Sequence, residues 1–372
     1  MNKIHGGNIY EIARQSGLPL EKIIDFSASI NPLGLSKRAV KKLKESLPVV
    51  LHYPDPLYSD LTQALAGFHK LEASQILAGA GATEFIYTIP RVLKAQKALI
   101  VTPAFSEYEN SLESSDSGCK IHYFETKEED GFELSVESLL FVLTQGYDAL
   151  YISNPSNPAG ILTERKELRK ILAQAEREKV WFILDEAFID FQEEESLKAE
   201  TASSPRLIVL RSLTKFFALP GLRVGYMISN PEVIQKFRQH KEPWSVNALA
   251  QLAAIESLRD RDYITRTRKF IELERDRLTH DLRSIPGFIP YPGAANYLLV
   301  QIHPSLNLTA ADLREKLILH GILIRDCHSF HHIGPYFFRV AVRSRRENRL
   351  LLKALRQVGQ EISRKSKEQN SE

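Results

Sequence analysis

Four short apolar runs lie in the first 210 residues, and they limit what this chain can fold into. They occupy residues 97–102, 148–153, 180–184 and 207–210. None alternates between apolar and polar residues, so each predicts a strand that is covered on both faces. Residues 163–179 carry an apolar stripe with a helical period and predict an amphipathic helix with Thr163 as its N-cap. Strands alternating with helices indicate an α/β fold with a mostly parallel sheet.

The character of the sequence changes near residue 285. A long helical pattern over 246–282 ends at Ile-Pro-Gly of 285–287. Shorter patterns follow, predicting strands at 296–302, 322–325 and 336–342 and helices at 309–319 and 346–362. This part of the chain therefore predicts a smaller α+β domain with a largely antiparallel sheet.

Composition excludes several classes of function. Lys and Arg number 49 against 46 Asp and Glu, and a net charge of +3 is too small to indicate a nucleic-acid partner. No apolar run is long enough to cross a bilayer, and the first residues lack the apolar segment of a secretory signal. Cys119 and Cys327 are expected to be free thiols. We expect a cytoplasmic protein without a membrane partner.

The segment 209–226 places one lysine, Lys215, in apolar surroundings. Desolvation near a strand end lowers the pKa of an amine from about 10.4, which makes Lys215 able to bond covalently to an aldehyde. Ser212, Thr214 and Arg223 lie nearby in the sequence and are groups that bind phosphate.

Two further segments place polar residues where strands end. Asn154 and Asn157 each precede a proline, which holds them in an extended conformation at the end of a strand, where ligands of α/β sheets bind. A structured turn without a ligand-binding role is an equal alternative for this segment. Asp185 ends an apolar run, and a buried carboxylate there needs a cation such as a protonated pyridine nitrogen. Its alternative role is an N-cap.

A glycine-rich turn and a tyrosine complete the pattern. Gly79 and Gly81 precede a helix expected to begin near Thr83, and amides at a helix N-terminus bind phosphate. The third glycine of a dinucleotide-binding fingerprint is missing. Tyr108 follows a strand end and could stack on a planar ring, with a core or surface tyrosine as the alternative.

Together these signals match pyridoxal 5'-phosphate. Lys215 would bond to its aldehyde, Asp185 would face the ring nitrogen, Asn157 the ring hydroxyl, and Tyr108 the ring face. The phosphate would be bound by Gly81, Ala82, Thr83, Ser212, Thr214 and Arg223. A nucleotide-binding oxidoreductase would leave Lys215 and Asp185 without roles, and a regulator of this fold would need a DNA-binding module that the sequence does not contain.

Three segments in this order, SNPSNPAG, LDEAF and RSLTKFFALPGLRVGY, resemble the fold-type I pyridoxal-phosphate enzymes of the aminotransferase class I/II group. The resemblance covers residues 4–360. Within the group, HGGNIYEIA, IIDFSASINPLG, GILIRDC and FFRVAVRS resemble the L-threonine O-3-phosphate decarboxylase family of cobalamin biosynthesis. Histidinol-phosphate aminotransferases and related aminotransferases are the alternative.

The resemblance implies roles for individual residues. Lys215 is the catalytic residue, and a phosphorylated amino-acid substrate would contact His5, Gly6, Asn31, Asn157, Arg325 and Arg339. Tyr53 would reach the cofactor site of a neighbouring subunit, which implies a homodimer. The chain departs from the group's pattern at Ser29, where Asn is common, at Ala159, where Thr is usual, and at Phe188, where aminotransferases have Tyr.

The sequence pattern and the resemblance together predict four parts of the chain. Residues 1–30 form an N-terminal segment that contributes to the active site, 31–270 the large cofactor-binding domain, 271–363 the small α+β domain, and 364–372 a disordered tail. His328, His331 and His332 cluster near the end of the small domain. Because no thiol or carboxylate set completes their pattern, we expect a loop and no metal.

Overall fold

The structure, a computed structural model, describes residues 6–115 and 117–369, with side chains to residue 362. Its strands are β1 (Ile24–Asp25), β2 (Ile76–Gly79), β3 (Lys97–Thr102), β4 (Lys120–Glu125), β5 (Ala149–Ser153), β6 (Trp181–Asp185), β7 (Leu207–Ser212), β8 (Gly225–Ser229), β9 (Phe288–Pro290), β10 (Tyr297–Ile302), β11 (Ile322–Leu323), β12 (Arg325–Asp326) and β13 (Phe337–Ala341). Its α-helices are α1 (Ile9–Ser16), α2 (Lys37–Glu45), α3 (Ser59–His69), α4 (Ala82–Leu93), α5 (Glu107–Glu113), α6 (Val136–Leu143), α7 (Arg165–Arg177), α8 (Pro231–Arg238), α9 (Ala248–Arg259), α10 (Arg261–Arg283), α11 (Ala310–Ile318) and α12 (Arg345–Gln369).

A seven-stranded sheet forms the larger part, with the order β2-β8-β7-β6-β5-β3-β4. Only β8 runs opposite to its neighbours β2 and β7, while the remaining strands are parallel. The predicted α/β class with a large, mostly parallel sheet is confirmed. The four apolar runs of the sequence are β3, β5, β6 and β7.

Both faces of this sheet are apolar, which explains why its strands lack alternation. In β5, Leu150 and Ile152 pack into one hydrophobic cluster, whereas Ala149 and Tyr151 pack into a second. Helices cover the two faces, so neither face is exposed to solvent and neither needs polar residues. Because β5, β6 and β7 are parallel neighbours, their carboxyl ends meet at one edge of the sheet.

Two predictions about helices are wrong. The N-cap of α7 is Glu164, not Thr163, because the Thr163 amide donates to Asn154 Oδ1 at 2.8 Å and its carbonyl accepts from Asn154 Nδ2 at 3.0 Å. The helix expected over 246–282 is divided into α9 and α10 at Asp260. Asp260 leaves the helical conformation, and its carboxylate caps α10 by accepting from the Tyr263 amide at 3.0 Å.

A second, four-stranded sheet has the antiparallel order β12-β13-β10-β9. The N-terminal segment is attached beside it, because β1 pairs in parallel with β11. The Phe26 carbonyl accepts from the Ala341 amide at 2.8 Å, and the Ser29 carbonyl accepts from Asn296 Nδ2 at 3.0 Å. Residues 24–29 are thereby held against the C-terminal sheet.

The last helix is longer than the sequence pattern indicated. α12 continues to Gln369. The prediction of a disordered tail over 364–372 is therefore wrong for residues 364–369. Residues 363–369 contain neither proline nor glycine, so no helix-breaking residue interrupts them. Residues 370–372 lie outside the described part. Among the described residues, none of the helices combines the length and apolar character needed to cross a membrane.

Candidate active site

A cavity of about 240 Å³ lies between the large sheet and the C-terminal sheet. One wall comes from the carboxyl ends of β5, β6 and β7, and includes Ser153, Asp185 and Ser212. The opposite wall includes residues 27–29 of the N-terminal segment and Arg325 and Arg339 of the C-terminal sheet. This is the edge of an α/β sheet at which ligands bind. We call the two walls the large-sheet wall and the C-terminal wall.

Lys215 follows β7 and lines the cavity. The pKa of its amine is lowered to about 8, mainly by burial and also by the nearby charges of Arg339 and Arg223, while the charge of Asp185 opposes the decrease. Its backbone carbonyl accepts from the Asn31 amide at 3.1 Å. A buried lysine with a pKa near 8 has a larger neutral fraction at ordinary pH than a lysine in water, and the neutral amine is the form that bonds to an aldehyde.

Asp185 is the last residue of β6 and is buried. Its Oδ2 accepts from the Tyr108 hydroxyl at 2.6 Å, and its Oδ1 accepts from the Ala187 amide at 2.9 Å. Burial raises the pKa of Asp185, while the Tyr108 and Ala187 hydrogen bonds and the Lys215 charge oppose the rise. A buried carboxylate in this position favours a cationic ligand atom such as a protonated ring nitrogen.

Tyr108 does not lie where the sequence predicted it. Its ring is buried 5.7 Å from that of Tyr151, it is absent from the cavity wall, and its hydroxyl is used by Asp185. Burial raises the pKa of Tyr108 well above its usual value, so the hydroxyl stays a donor. Phe105, three residues earlier, lines the cavity instead. Phe105 is therefore the aromatic residue of this segment that can face a planar ring.

The predicted phosphate-binding residues all lie on the cavity wall: Gly81, Ala82, Thr83, Ser212, Thr214 and Arg223. Gly81 precedes α4 and has a φ of 84°, and a side chain on it would come within 3.0 Å of Arg223 Nη2. A side chain on Gly225 would come within 2.6 Å of the Ala82 amide nitrogen. Two glycines thus leave room for an anion at the N-terminus of α4.

Asn157 lies on the cavity wall and contacts the C-terminal wall. Its Oδ1 accepts a hydrogen bond from Arg339 Nη1. Asn154 points away, because both ends of its amide bond to the Thr163 backbone. The wall therefore offers an amine, a carboxylate, an amide and an anion site, and this set of groups fits pyridoxal phosphate.

The C-terminal wall carries two guanidinium groups. Arg339 donates from Nη2 to the Ser27 carbonyl at 3.2 Å, and its Nε is buried without a partner among the described residues. Arg325 donates from Nη2 to Ser329 Oγ at 3.0 Å. The pKa of Arg325 is lowered to about 10, mainly by burial and also by the charge of Arg339. Two buried cations in one cavity favour an anionic ligand.

Asn31, which was expected to contact the substrate, does not line the cavity in the structure. Its Nδ2 donates to the Phe216 carbonyl at 2.8 Å, and its Oδ1 accepts from the Leu33 amide at 3.0 Å. Ser29, two residues earlier, lines the cavity, is 1% exposed, and has an Oγ without a partner in the described part of the chain. Ser29 thus occupies the position expected for Asn31.

Three other expected residues have different placements. Gly6 lines the cavity, where a side chain would come within 2.3 Å of the Ser27 carbonyl oxygen. His5 lies outside the described residues. Tyr53 is 82% exposed, does not line this cavity, and packs against Trp244 in a tilted arrangement with ring centroids 5.0 Å apart. Its predicted contact is with the cofactor site of a neighbouring subunit, so that role stays a prediction.

Sequence reasoning missed several residues of the cavity wall. They are Ser27, Ala28, Phe105, Ser106, Ser329 and Phe330. All six belong to irregular segments, where no helix or strand period predicts which side chains face the cavity. Phe188 and Ser29, noted as departures from the family pattern, both line the cavity, whereas Ala159 is buried in a separate hydrophobic cluster. Among the described residues, no group of three His, Cys, Asp or Glu side chains could hold a metal ion.

The family described as aminotransferase class I and II matches residues 21–355. A threonine-phosphate decarboxylase of Salmonella typhimurium is 41% identical over 96% of this chain and 97% of that protein. A histidinol-phosphate aminotransferase of Methanococcus maripaludis is 30% identical over 95% of each chain. Among solved structures, L-threonine-O-3-phosphate decarboxylase of Porphyromonas gingivalis aligns with a TM-score of 0.78 and 26% identity, covering 89% of this chain and 97% of the other.

Proposed function

This chain belongs to the aminotransferase class I and II family, and we propose that it decarboxylates L-threonine O-3-phosphate with pyridoxal 5'-phosphate as its cofactor. The product is (R)-1-amino-2-propanol O-2-phosphate, formed with carbon dioxide. The proposal places the reaction in cobalamin synthesis, to which the resembling decarboxylase family belongs. The threonine-phosphate decarboxylase of Salmonella typhimurium, which is 41% identical to this chain, supports the proposal.

Pyridoxal phosphate, when bound, supplies an aldehyde that bonds to amines and a ring that accepts electrons from the α-carbon. Lys215 would hold the aldehyde, Asp185 would keep the ring nitrogen protonated, and Asn157 would face the ring hydroxyl. The phosphate would occupy the N-terminus of α4 with Ser212, Thr214 and Arg223. Phe188 has no hydroxyl to offer the ring, so Asn157 is the expected donor to the ring oxygen.

The observation that carries the substrate assignment is the pair of buried guanidinium groups on the C-terminal wall. Threonine phosphate carries a carboxylate and a phosphate on adjacent carbons, so it offers each of the two guanidinium groups an anionic partner. Arg339, which is bonded to Asn157, would bind the carboxylate. Arg325 and Ser29 would bind the phosphate, together with Gly6 and His5. Two cations in one cavity suit two anionic groups on a short spacer.

The chain decides which bond breaks by the way it holds these two anions. If Arg325 fixes the phosphate, the remaining freedom of the substrate is rotation about the bonds to the α-carbon, and Arg339 then sets the direction of the carboxylate. The bond between the α-carbon and the carboxylate breaks, and carbon dioxide leaves. Lys215, whose pKa is near 8, then donates a proton to the α-carbon.

We also propose that the protein is a cytoplasmic homodimer. Several exposed apolar residues lie close to Tyr53 in the sequence, namely Leu47, Val50, Leu51 and Leu57. A second copy covering this surface would bring Tyr53 to its partner's cavity, as the family resemblance implies. Cys119 and Cys327 are free thiols, which suits a reducing compartment.

The assay that tests the proposal follows carbon dioxide release from threonine phosphate by the purified holoenzyme. Parallel reactions contain histidinol phosphate with 2-oxoglutarate, which detects the alternative aminotransferase activity favoured by the Methanococcus maripaludis relative. We expect stoichiometric carbon dioxide and 1-amino-2-propanol O-2-phosphate from the first reaction. Amino-group transfer without carbon dioxide would overturn the proposal and favour the aminotransferase.

A further inference from the structure

The loop between β12 and β13 contains two histidines that contact the large sheet. We call residues 328–333 the histidine loop. His331 donates from Nε2 to Glu109 Oε2 at 2.8 Å, and its ring stacks on Tyr123 with centroids 5.0 Å apart. The Tyr123 hydroxyl donates to the second oxygen of the same carboxylate at 2.5 Å. His331, Tyr123 and Glu109 therefore all contact one another, and these contacts join the loop to β4 and α5.

His332 makes a second contact with the large sheet. Its Nδ1 lies 2.9 Å from Thr102 Oγ1, at the end of β3. From Thr102 the chain continues through residues 103 and 104 to Phe105, which lines the cavity. His332 has a φ of 62°, a conformation that histidine adopts more readily than most residues. The histidine loop is therefore attached at two points beside the cavity.

The same loop forms part of the cavity and contacts Arg325. Ser329 and Phe330 line the cavity. Arg325 donates to Ser329 Oγ at 3.0 Å, and its Cζ lies 5.2 Å from the centre of the Phe330 ring. The direction of the Arg325 guanidinium therefore depends on the position of the loop.

We propose that His331 and His332 are positioning residues, which hold the histidine loop against the large sheet and so fix Arg325 for the substrate phosphate. The inference rests on the proposed function for the identity of that substrate. Arg325 belongs to β12 of the C-terminal sheet, whereas Lys215 follows β7 of the large sheet. Contacts that join the two sheets set the distance between the group that holds the phosphate and the group that acts at the α-carbon.

His328 differs from its two neighbours and provides the matched control. It contacts Asp326, with 2.9 Å between Nδ1 and Oδ2, and its side chain is 65% exposed. This contact lies within the same strand and loop and does not reach the large sheet. His328→Gln therefore changes a histidine of the loop without changing the attachment.

The test uses the holoenzyme with His331→Phe and His332→Asn combined. Phenylalanine keeps the stacking on Tyr123 and removes the bond to Glu109, while asparagine tolerates the left-handed backbone of His332. Because each contact contributes roughly a 3- to 10-fold effect, we expect the KM for threonine phosphate to rise about 10-fold or more, with kcat changed by less than about threefold. Binding of inorganic phosphate, measured by calorimetry, should weaken by the same factor, and His328→Gln should leave both values unchanged.

A further variant tests whether the histidines act through the loop. Ser329→Ala should raise the KM by itself, and its effect should not add fully to that of the double variant, because both disturb the same attachment of Arg325. If the double variant keeps the wild-type KM and phosphate affinity and only its Tm falls, the histidines merely stabilise the fold and the inference is overturned.

Failure of the inference can be distinguished from failure of the proposed function. If the wild-type enzyme does not decarboxylate threonine phosphate, the function fails, and the inorganic-phosphate titration still compares the variants. Weakened phosphate binding in the double variant, with wild-type binding in His328→Gln, would then support the positioning role by itself. Equal phosphate affinity in all three proteins would overturn it.

Discussion

The two walls of the cavity differ in how their polar groups are satisfied. On the large-sheet wall, polar groups are satisfied by the chain itself, since Asp185 accepts from the buried Tyr108 hydroxyl behind the wall and Ser212 Oγ lies 2.7 Å from Thr214 Oγ1. On the C-terminal wall, Ser29 Oγ and Arg339 Nε are buried without partners among the described residues. A buried donor without an acceptor costs about 1–3 kcal/mol. The first wall is thus organised by the chain itself, whereas the second is suited to receive anions.

This difference implies that variants of the two walls should have different kinetic effects. Changes on the large-sheet wall should lower kcat or abolish cofactor binding, because that wall would hold the reactive group. Changes on the C-terminal wall should mainly raise the KM, because that wall would bind the substrate.

Lys215→Ala should produce the largest effect. Without the amine, the cofactor has no covalent attachment and the α-carbon has no proton donor, so kcat should fall by about 10³-fold or more. Carbon dioxide release measures the rate, and mass spectrometry after borohydride treatment locates the attachment. Lys127→Ala, at an exposed residue, is the control. An adduct elsewhere in a fully active Lys215→Ala enzyme would remove the basis of the proposed mechanism.

Asp185→Asn should be the next most damaging change. The amide cannot stabilise a protonated ring nitrogen, and loss of such a preorganised charge lowers kcat by about 10²-fold or more. Tyr108→Phe is the matched variant, since it removes the hydrogen bond to Asp185 and keeps the carboxylate. It should cost less than tenfold, by roughly the value of one hydrogen bond. Equal losses in the two variants would contradict a direct role for Asp185.

The low pKa of Lys215 predicts how cofactor binding depends on pH. The neutral amine is the reactive form, and its fraction rises with pH until the pKa of about 8 is passed. The rate of reconstitution of the apoenzyme should therefore rise about tenfold per pH unit below 8 and level off above it. An ordinary lysine would continue to rise to about pH 10.4. Absorbance of the bound cofactor at a series of pH values measures the midpoint.

Ser29→Ala should have the smallest effect and probes the C-terminal wall. Loss of one hydroxyl should raise the KM for threonine phosphate about 3- to 10-fold and leave kcat nearly unchanged. Asn31→Ala is the comparison, because Asn31 bonds to the Phe216 and Leu33 backbone and should lower the Tm instead. A Ser29→Ala enzyme with unchanged KM but reduced kcat would show that the two walls do not divide their tasks as proposed.

The sequence predicted the large sheet well because burial on both faces leaves a plain local signal. The strands around Leu150, Ile183 and Val209 are apolar on both sides, and no distant residue alters that pattern. The break at Asp260 was missed because the helical period continues through it. Only the structure shows that its carboxylate caps the next helix and accepts from Ser36 Oγ at 2.6 Å.

The candidate site was predictable where side chains follow strand ends and not in irregular segments. Asp185 and Ser212 end strands, and both line the cavity. Between residues 27 and 31 no period exists, so the family pattern alone could not decide between Ser29 and Asn31. The same holds for Phe105 and Tyr108, where the choice depends on a hydrogen bond to a residue 77 positions away.

The pairing of β1 with β11 has a consequence for how enzymes of this shape could be recombined. A side chain on Gly321 would come within 2.6 Å of the Lys22 carbonyl oxygen, and Arg343 donates to the Asp25 carbonyl at 3.0 Å. Residues 22–25 and the C-terminal part around Gly321 and Arg343 are therefore held together as one packed unit. A chimera that borrows only the C-terminal half from a relative would leave the opening segment facing a foreign surface, so a change of specificity by domain exchange requires both ends together.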